Sequence, residues 1–172
     1  MRILLIVLAS VVFWLMVFDA LDAPTSEETV HIFISALSVD VETLEKALME
    51  ALEDDGIRSV AITVIRENDA FFPTAMMTQG LLESDLLILP LSVLADFSLN
   101  EQFRPSDTHH PPHQPVLEDS VVMGHVIDPG ALSFDVVFET DGDYGLFANI
   151  ASVHSDLLLE TIRTIMLEPD AS

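Results

Sequence analysis

Apolar positions in this chain alternate between two patterns. Short unbroken runs occupy residues 30–37 (VHIFISAL), 60–65 (VAITVI) and 85–90 (DLLILP), apolar on both faces and rich in β-branched or aliphatic residues. Runs of this length read as strands covered on both sides, as in a parallel sheet. Between the first two, Val41, Leu44, Ala47, Leu48, Ala51 and Leu52 recur at helical spacing. Asp40 stands where an N-cap belongs, Glu42 precedes Lys46 by one turn, and Gly56 follows as a helix stop. Between the second and third runs, Asn68 or Asp69 opens a helix carrying Phe71, Phe72, Ala75, Met76, Leu81 and Leu82. Pro73 is tolerated there only in the first turn, and Pro90 ends the third strand because it brings no N–H to the ladder. Right-handed crossovers then predict a β-α-β-α-β core in three layers, with a small, mostly parallel sheet.

The pattern lapses over residues 98–118, where prolines gather, and resumes at GHVID (residues 124–128). SFDVVFET (133–140) and YGLFANI (144–150) flank Asp141-Gly142-Asp143 and predict a C-terminal β-hairpin. Ser155 is placed to cap a last helix that sets Leu158, Ile162, Ile165 and Met166 on one face. The expected fold is a single α/β domain over residues 30–168, with that hairpin and helix closing it.

Residues 3–18 (ILLIVLASVVFWLMVF) carry no charge; Arg2 precedes them, and Asp19, Asp22, Glu27 and Glu28 follow. This asymmetry sends the amino terminus to the cytoplasm and the rest across the membrane. The run falls between a signal core of ~7–15 residues and a span of roughly 20. Phe18, Leu21 and Pro24 spoil the cleavage sites after Ala20 and Ala23. The leader, residues 1–21, is therefore expected to be an N-terminal transmembrane anchor, with a cleaved signal peptide as the alternative. Residues 22–29 (DAPTSEET) form a tether, and the domain beyond it is extracytoplasmic.

With 29 acidic residues against 6 basic ones, the net charge of −23 repels a phosphate backbone and excludes nucleic acid as a partner. The absence of cysteine excludes disulfides, thiolate nucleophiles, thiol-ligated metals and a lipoprotein anchor. His109, His110 and His113, near Asp107 and Glu118, have the chemistry of a metal loop. His109 and His113 stand four apart, but Pro111 and Pro112 between them stiffen the loop and prevent the helix that would bring such a pair to one face, so an exposed polar loop without metal is expected. Neighbouring carboxylates such as Asp54-Asp55 diverge at a helix end. His31 and His154 stand alone, and Met76-Met77 read as core filling. Neither a nucleophile elbow nor a glycine-rich phosphate loop occurs, so neither an enzyme nor a cofactor is expected.

The passage DAFFPTAMMTQGLLESDLLILPLSVLADF (69–97) resembles the first lobe of bacterial extracellular solute-binding proteins of ABC importers. There an amphipathic helix leads through a small-residue turn into a strand ending in Leu-Pro. DYGLFANIASVHSDLLLETIRTIM (143–166) is similar to that family's strand with an Asn near its end, followed by a helix. The resemblance implies a binding module for a small solute or peptide, with a transporter permease as partner. Family members carry a second lobe, whereas this sequence spans about the length of one, so the resemblance leaves a remnant, a site at the open edge or a site completed by pairing with another chain. The strand-end rule puts that site near Ser35, Asn68, Asp69 and Ser92, with Asn149 as a further candidate. The serines would supply hydroxyls, Asn68 and Asn149 amides, and Asp69 a carboxylate for a cationic or hydroxylated group. The competing expectation is that these residues only cap and turn the chain. In that case the protein would be a cell-envelope accessory protein, docking on a partner without a small ligand.

Overall fold

The computed structural model describes residues 10–14, 17, 23–106, 114–128, 130 and 132–167. Strand β1 (Thr29–Ser35) leads through β2 (Ser38–Val39) into helix α1 (Val41–Ala51), and β3 (Ser59–Ile65) follows. The short helix α2 (Phe72–Ala75) runs into a π-helical turn (Met76–Gly80) before β4 (Leu86–Pro90). A 3-10 turn (Val93–Asp96), α3 (Leu99–Gln102), β5 (Pro115–Glu118), β6 (Val121–Ile127), β7 (Val136–Val137), β8 (Tyr144–Ala148) and α4 (Asp156–Leu167) complete the described elements.

The three apolar runs form the predicted parallel trio: β1 pairs with β3 on one side and β4 on the other. The whole sheet is ordered β3-β1-β4-β8-β6-β5, with every pairing beyond β4 antiparallel. Helices cover both faces, which accounts for the unbroken apolar runs. Ile32, Ile34, Leu86, Ile88 and Leu146 pack against Leu44 and Leu48 of α1 and Leu159, Ile162 and Met166 of α4. On the other face Phe33, Leu87, Leu89 and Phe147 meet Phe72, Met76, Leu94 and Phe103. Asp40 caps α1 by accepting the backbone N–H and the hydroxyl of Thr43, and Gly56 adopts the left-handed conformation at φ 79°. Ser155 caps α4 through its hydroxyl, 3.2 Å from the Leu158 N–H.

Three expectations are corrected. The hairpin predicted across Asp141-Gly142-Asp143 does not form: β7 pairs with β2, while β8 inserts between β4 and β6. All five residues of β8 are buried, so the strand belongs in the sheet interior. The hairpin in this half is β5–β6, turning at Asp119 and Ser120 with φ of 49° and 69°. In the second helix the π-helical turn shifts the phase. Met76 and Leu81 are buried, but Phe71, Met77 and Leu82 are exposed. The buried stripe of α4 includes Leu159, Ile162, Arg163 and Met166, with Leu158 and Ile165 only partly covered.

Most of the predicted leader lies outside the described residues. Residues 10–14 and 17 are helical, with Phe13 and Trp14 exposed. Among the described residues no helix is long and apolar enough to cross a membrane. Asp107, His109, His110 and His113 also lie outside the described residues. Glu118 caps α3 by accepting the Leu99 and Asn100 N–H groups.

Candidate functional site

Strands β1 and β4 are neighbours whose onward connections part company. The chain leaving β1 turns to α1 on one face, and the chain leaving β4 turns to the 3-10 turn and α3 on the other. Such a divergence opens a crevice at the carboxyl ends of the strands. Ser35 closes β1 there; it is fully buried and its hydroxyl has no hydrogen-bond partner. Ser92, exposed, heads the 3-10 turn after β4 without a capping bond from its side chain. Asn68 and Asp69 follow β3 at the same edge. The Asn68 N–H donates to Glu139 at 3.0 Å, and Asp69 accepts the Phe71 N–H at 2.8 Å.

Asn149 lies at the opposite edge, because β8 runs antiparallel to β4. Its Nδ2 reaches the carbonyl oxygens of Gly80 (3.2 Å), Leu81 (3.0 Å) and Ser84 (2.7 Å), and its Oδ1 accepts the Ala151 N–H. That amide is consumed in joining the end of β8 to the π-helical turn. Four of the five sequence candidates therefore share one edge, and Asn149 is apart from them.

A cavity of about 710 Å³ opens at that same carboxyl edge, beyond β8 and β6. Its place follows from the register: Tyr144 pairs with Pro90 and Ile127, and the Leu91 N–H donates to the Asp143 carbonyl. Gln114, Asp128, Phe138, Asp141, Asp143 and Tyr144 are among its walls, and among the described residues no lysine or arginine lines it. Phe138 stacks on Tyr144 with centroids 3.9 Å apart and rings 13° from parallel. The Tyr144 hydroxyl lies 3.2 Å from that of Thr140, which in turn donates to Glu67 at 3.4 Å. Beside the cavity, the N–H of Asn68 holds the Glu139 carboxyl below the usual carboxylate range. Carboxylates unopposed by lining cations produce a local negative potential, and aromatic faces add attraction for an organic cation. None of the four edge candidates lines this cavity. Its residues come from separate stretches of sequence, and the turn signal at Asp141-Gly142-Asp143 marked only one of them.

A buried polar cluster occupies the opposite edge. Asp85 accepts the His31 N–H at 2.7 Å and the Ser152 hydroxyl, and its other contact is His154 Nε2 at 3.6 Å. The residue types match a Ser-His-Asp triad but the order does not. Ser152 donates to the carboxylate rather than to the imidazole, and His154 Nε2 sits 3.1 Å from the Thr29 carbonyl. Among the described residues no base is aimed at the hydroxyl, and the bonds present tie β1, β4 and the β8–α4 connection together. No family model, curated protein or solved structure matches this chain.

Proposed function

We propose that this chain is a membrane-tethered, extracytoplasmic binding module that holds a small organic cation in an open site at the carboxyl edge of its sheet. The observation carrying this reading is the 710 Å³ cavity, walled by Asp128, Asp141, Asp143 and the Phe138–Tyr144 stack, beside the divergence of β1 and β4. Its volume falls within the range of small-molecule sites. Ser35 and Ser92, with Asn68 and Asp69, form the neighbouring part of the same edge. The likeness to one lobe of the solute-binding proteins points the same way and makes a transporter permease the natural recipient. The tether rests on the uncharged leader, followed by acidic residues. The module works by binding, without catalysis.

Thermal unfolding of the full-length protein in detergent, screened against choline, spermidine, arginine, sugars and short peptides, tests the reading. A cationic solute at 100 times its Kd should stabilise the fold by about 2.7 kcal/mol, a rise of roughly 5–10 °C. Asp141→Asn with Asp143→Asn, both at exposed positions, should remove the rise while leaving the unliganded transition in place. A flat screen favours the second reading, an envelope accessory protein that docks on a partner. The exposed side chains of Leu82, Ile150, Val153 and Leu157 around the opposite edge support that alternative.

A further inference from the structure

The edge opposite the carboxyl-edge cavity leaves large apolar side chains in solvent. Leu82, Val153 and Leu157 are 71%, 63% and 80% exposed there, with Ile150 beside them at 51%. Topology gathers them: Leu82 precedes β4, Ile150 and Val153 follow β8, whose Ala148 pairs with Leu86, and Leu157 opens α4. The tether arrives at the same edge, because its Ser26 lines a cavity of about 350 Å³ together with Leu82 and Val153. This end of the tether is fixed to the domain. The Thr25 N–H donates to the Glu28 carboxylate at 2.9 Å, and the Glu28 carbonyl accepts the N–H groups of Arg58 (2.8 Å) and Ser59 (3.1 Å). Ser26 stands eight positions after Phe18, the last residue of the uncharged run. Even fully extended, that stretch reaches only about 26–29 Å. A domain of this length is roughly 35–40 Å across, so the tether is too short to let the opposite edge turn toward the anchor.

We infer that this edge rests on the surface of a lipid bilayer, with Leu82, Ile150, Val153 and Leu157 set into the headgroup layer. The inference rests on the membrane-tethered reading and adds an orientation to it. Apolar side chains gain by entering the boundary between headgroups and acyl chains, and a short tether removes most of the entropic cost of bringing them there. The lipid it fits is zwitterionic. A net charge of −23 is repelled by an anionic surface, and Glu83 and Asp156 stand exposed among the apolar side chains. None of these residues lines the carboxyl-edge cavity, so the contact is independent of the cation bound there.

Full-length protein reconstituted into phosphatidylcholine vesicles tests the inference. The chain has no cysteine, so Leu82→Cys, Val153→Cys, Leu157→Cys and Ala70→Cys each accept a single fluorophore. Ala70, exposed after β3 at the carboxyl edge, is the control. Headgroup-level nitroxide lipids should quench the first three labels, at a depth of about 5–10 Å in the boundary, and leave the Ala70 position unquenched. Leu82→Asp with Val153→Asp, both at exposed positions, should abolish quenching at Leu157 without moving the unfolding transition. Vesicles enriched in phosphatidylglycerol should weaken the quenching; a stronger signal on them would overturn the inference, since charge would then hold the edge. Trp14, the chain's one tryptophan, reports the anchor separately through quenching by brominated lipid. Quenched Trp14 with all three edge labels in water would overturn the inference and leave the tether standing. Unquenched Trp14 would overturn both. Edge labels shielded from lipid, and coupled to one another as the protein-to-lipid ratio rises, would assign the edge to a second copy instead.

Discussion

At Asn149 a single side-chain amide joins three parts of the chain, facing the carbonyl oxygens of Gly80, Leu81 and Ser84 and accepting the Ala151 N–H. Removing it with Asn149→Ala strands those groups in a buried setting and should cost about 1–3 kcal/mol. Asn149→Asp is nearly isosteric yet should cost more at neutral pH, about 3–5 kcal/mol. It turns a donor into an anion facing carbonyl oxygens. The folded state then favours the protonated acid, whose hydroxyl can donate again. The folded pKa of the new group is therefore raised. The Asp penalty should shrink below the unfolded carboxylate pKa and grow as pH rises through the folded one. Urea midpoints of both variants at pH 4 and pH 7 check the ordering. If Asp and Ala variants were equal at pH 7, the amide would not be donating as described.

Two glycines decide how the antiparallel half of the sheet packs. A Cβ on Gly124 would lie 2.5 Å from the Phe147 ring and 2.6 Å from the Leu146 carbonyl oxygen, and one on Gly145 would lie 2.5 Å from the same ring. The ring lies over both backbones and stacks on Phe103 with centroids 4.6 Å apart. Because the backbone blocks escape at Gly124, Gly124→Ala should cost at least about 1–3 kcal/mol, read as a lowered denaturant midpoint. An unchanged midpoint would mean that the ring is free to move aside. These elements also mark what the sequence made legible. Continuous apolar runs and the Asp40-to-Gly56 helix signals determined β1, β3, β4 and α1 because those elements form from local patterns. The partner of β8 was not legible, since its residues state that it is buried but not between which strands. The carboxyl-edge cavity was hidden for the same reason. Asp128, Phe138 and Tyr144 meet only through the β6–β8 register and the loop after β7.

Over the whole molecule the net charge of −23 sets two responses to salt that oppose each other. Exposed carboxylates repel one another in the compact state, and ions shorten that repulsion to a Debye length of about 8 Å at physiological strength. Thermal stability of the unliganded protein should therefore rise with sodium chloride. Acid should act similarly at first, as surface carboxylates gain protons. Asp40 and Glu139 set a lower limit to that gain. Both have folded pKa values below the ordinary carboxylate value, through hydrogen bonds from Thr43 and Asn68 foremost. Their contribution is present above the unfolded pKa and is lost as pH falls through the folded one. The stability maximum is accordingly expected near pH 5, at the acid side of the usual range of about 5 to 8. Salt should have the reverse effect on an organic cation at the carboxyl edge, because the potential that attracts it is screened. One titration with salt, measuring the unfolding temperature and the cation's Kd together, should show the first rising while affinity falls. Parallel changes in stability and affinity would mean that the solute is held by contacts other than the carboxylates of Asp128, Asp141 and Asp143.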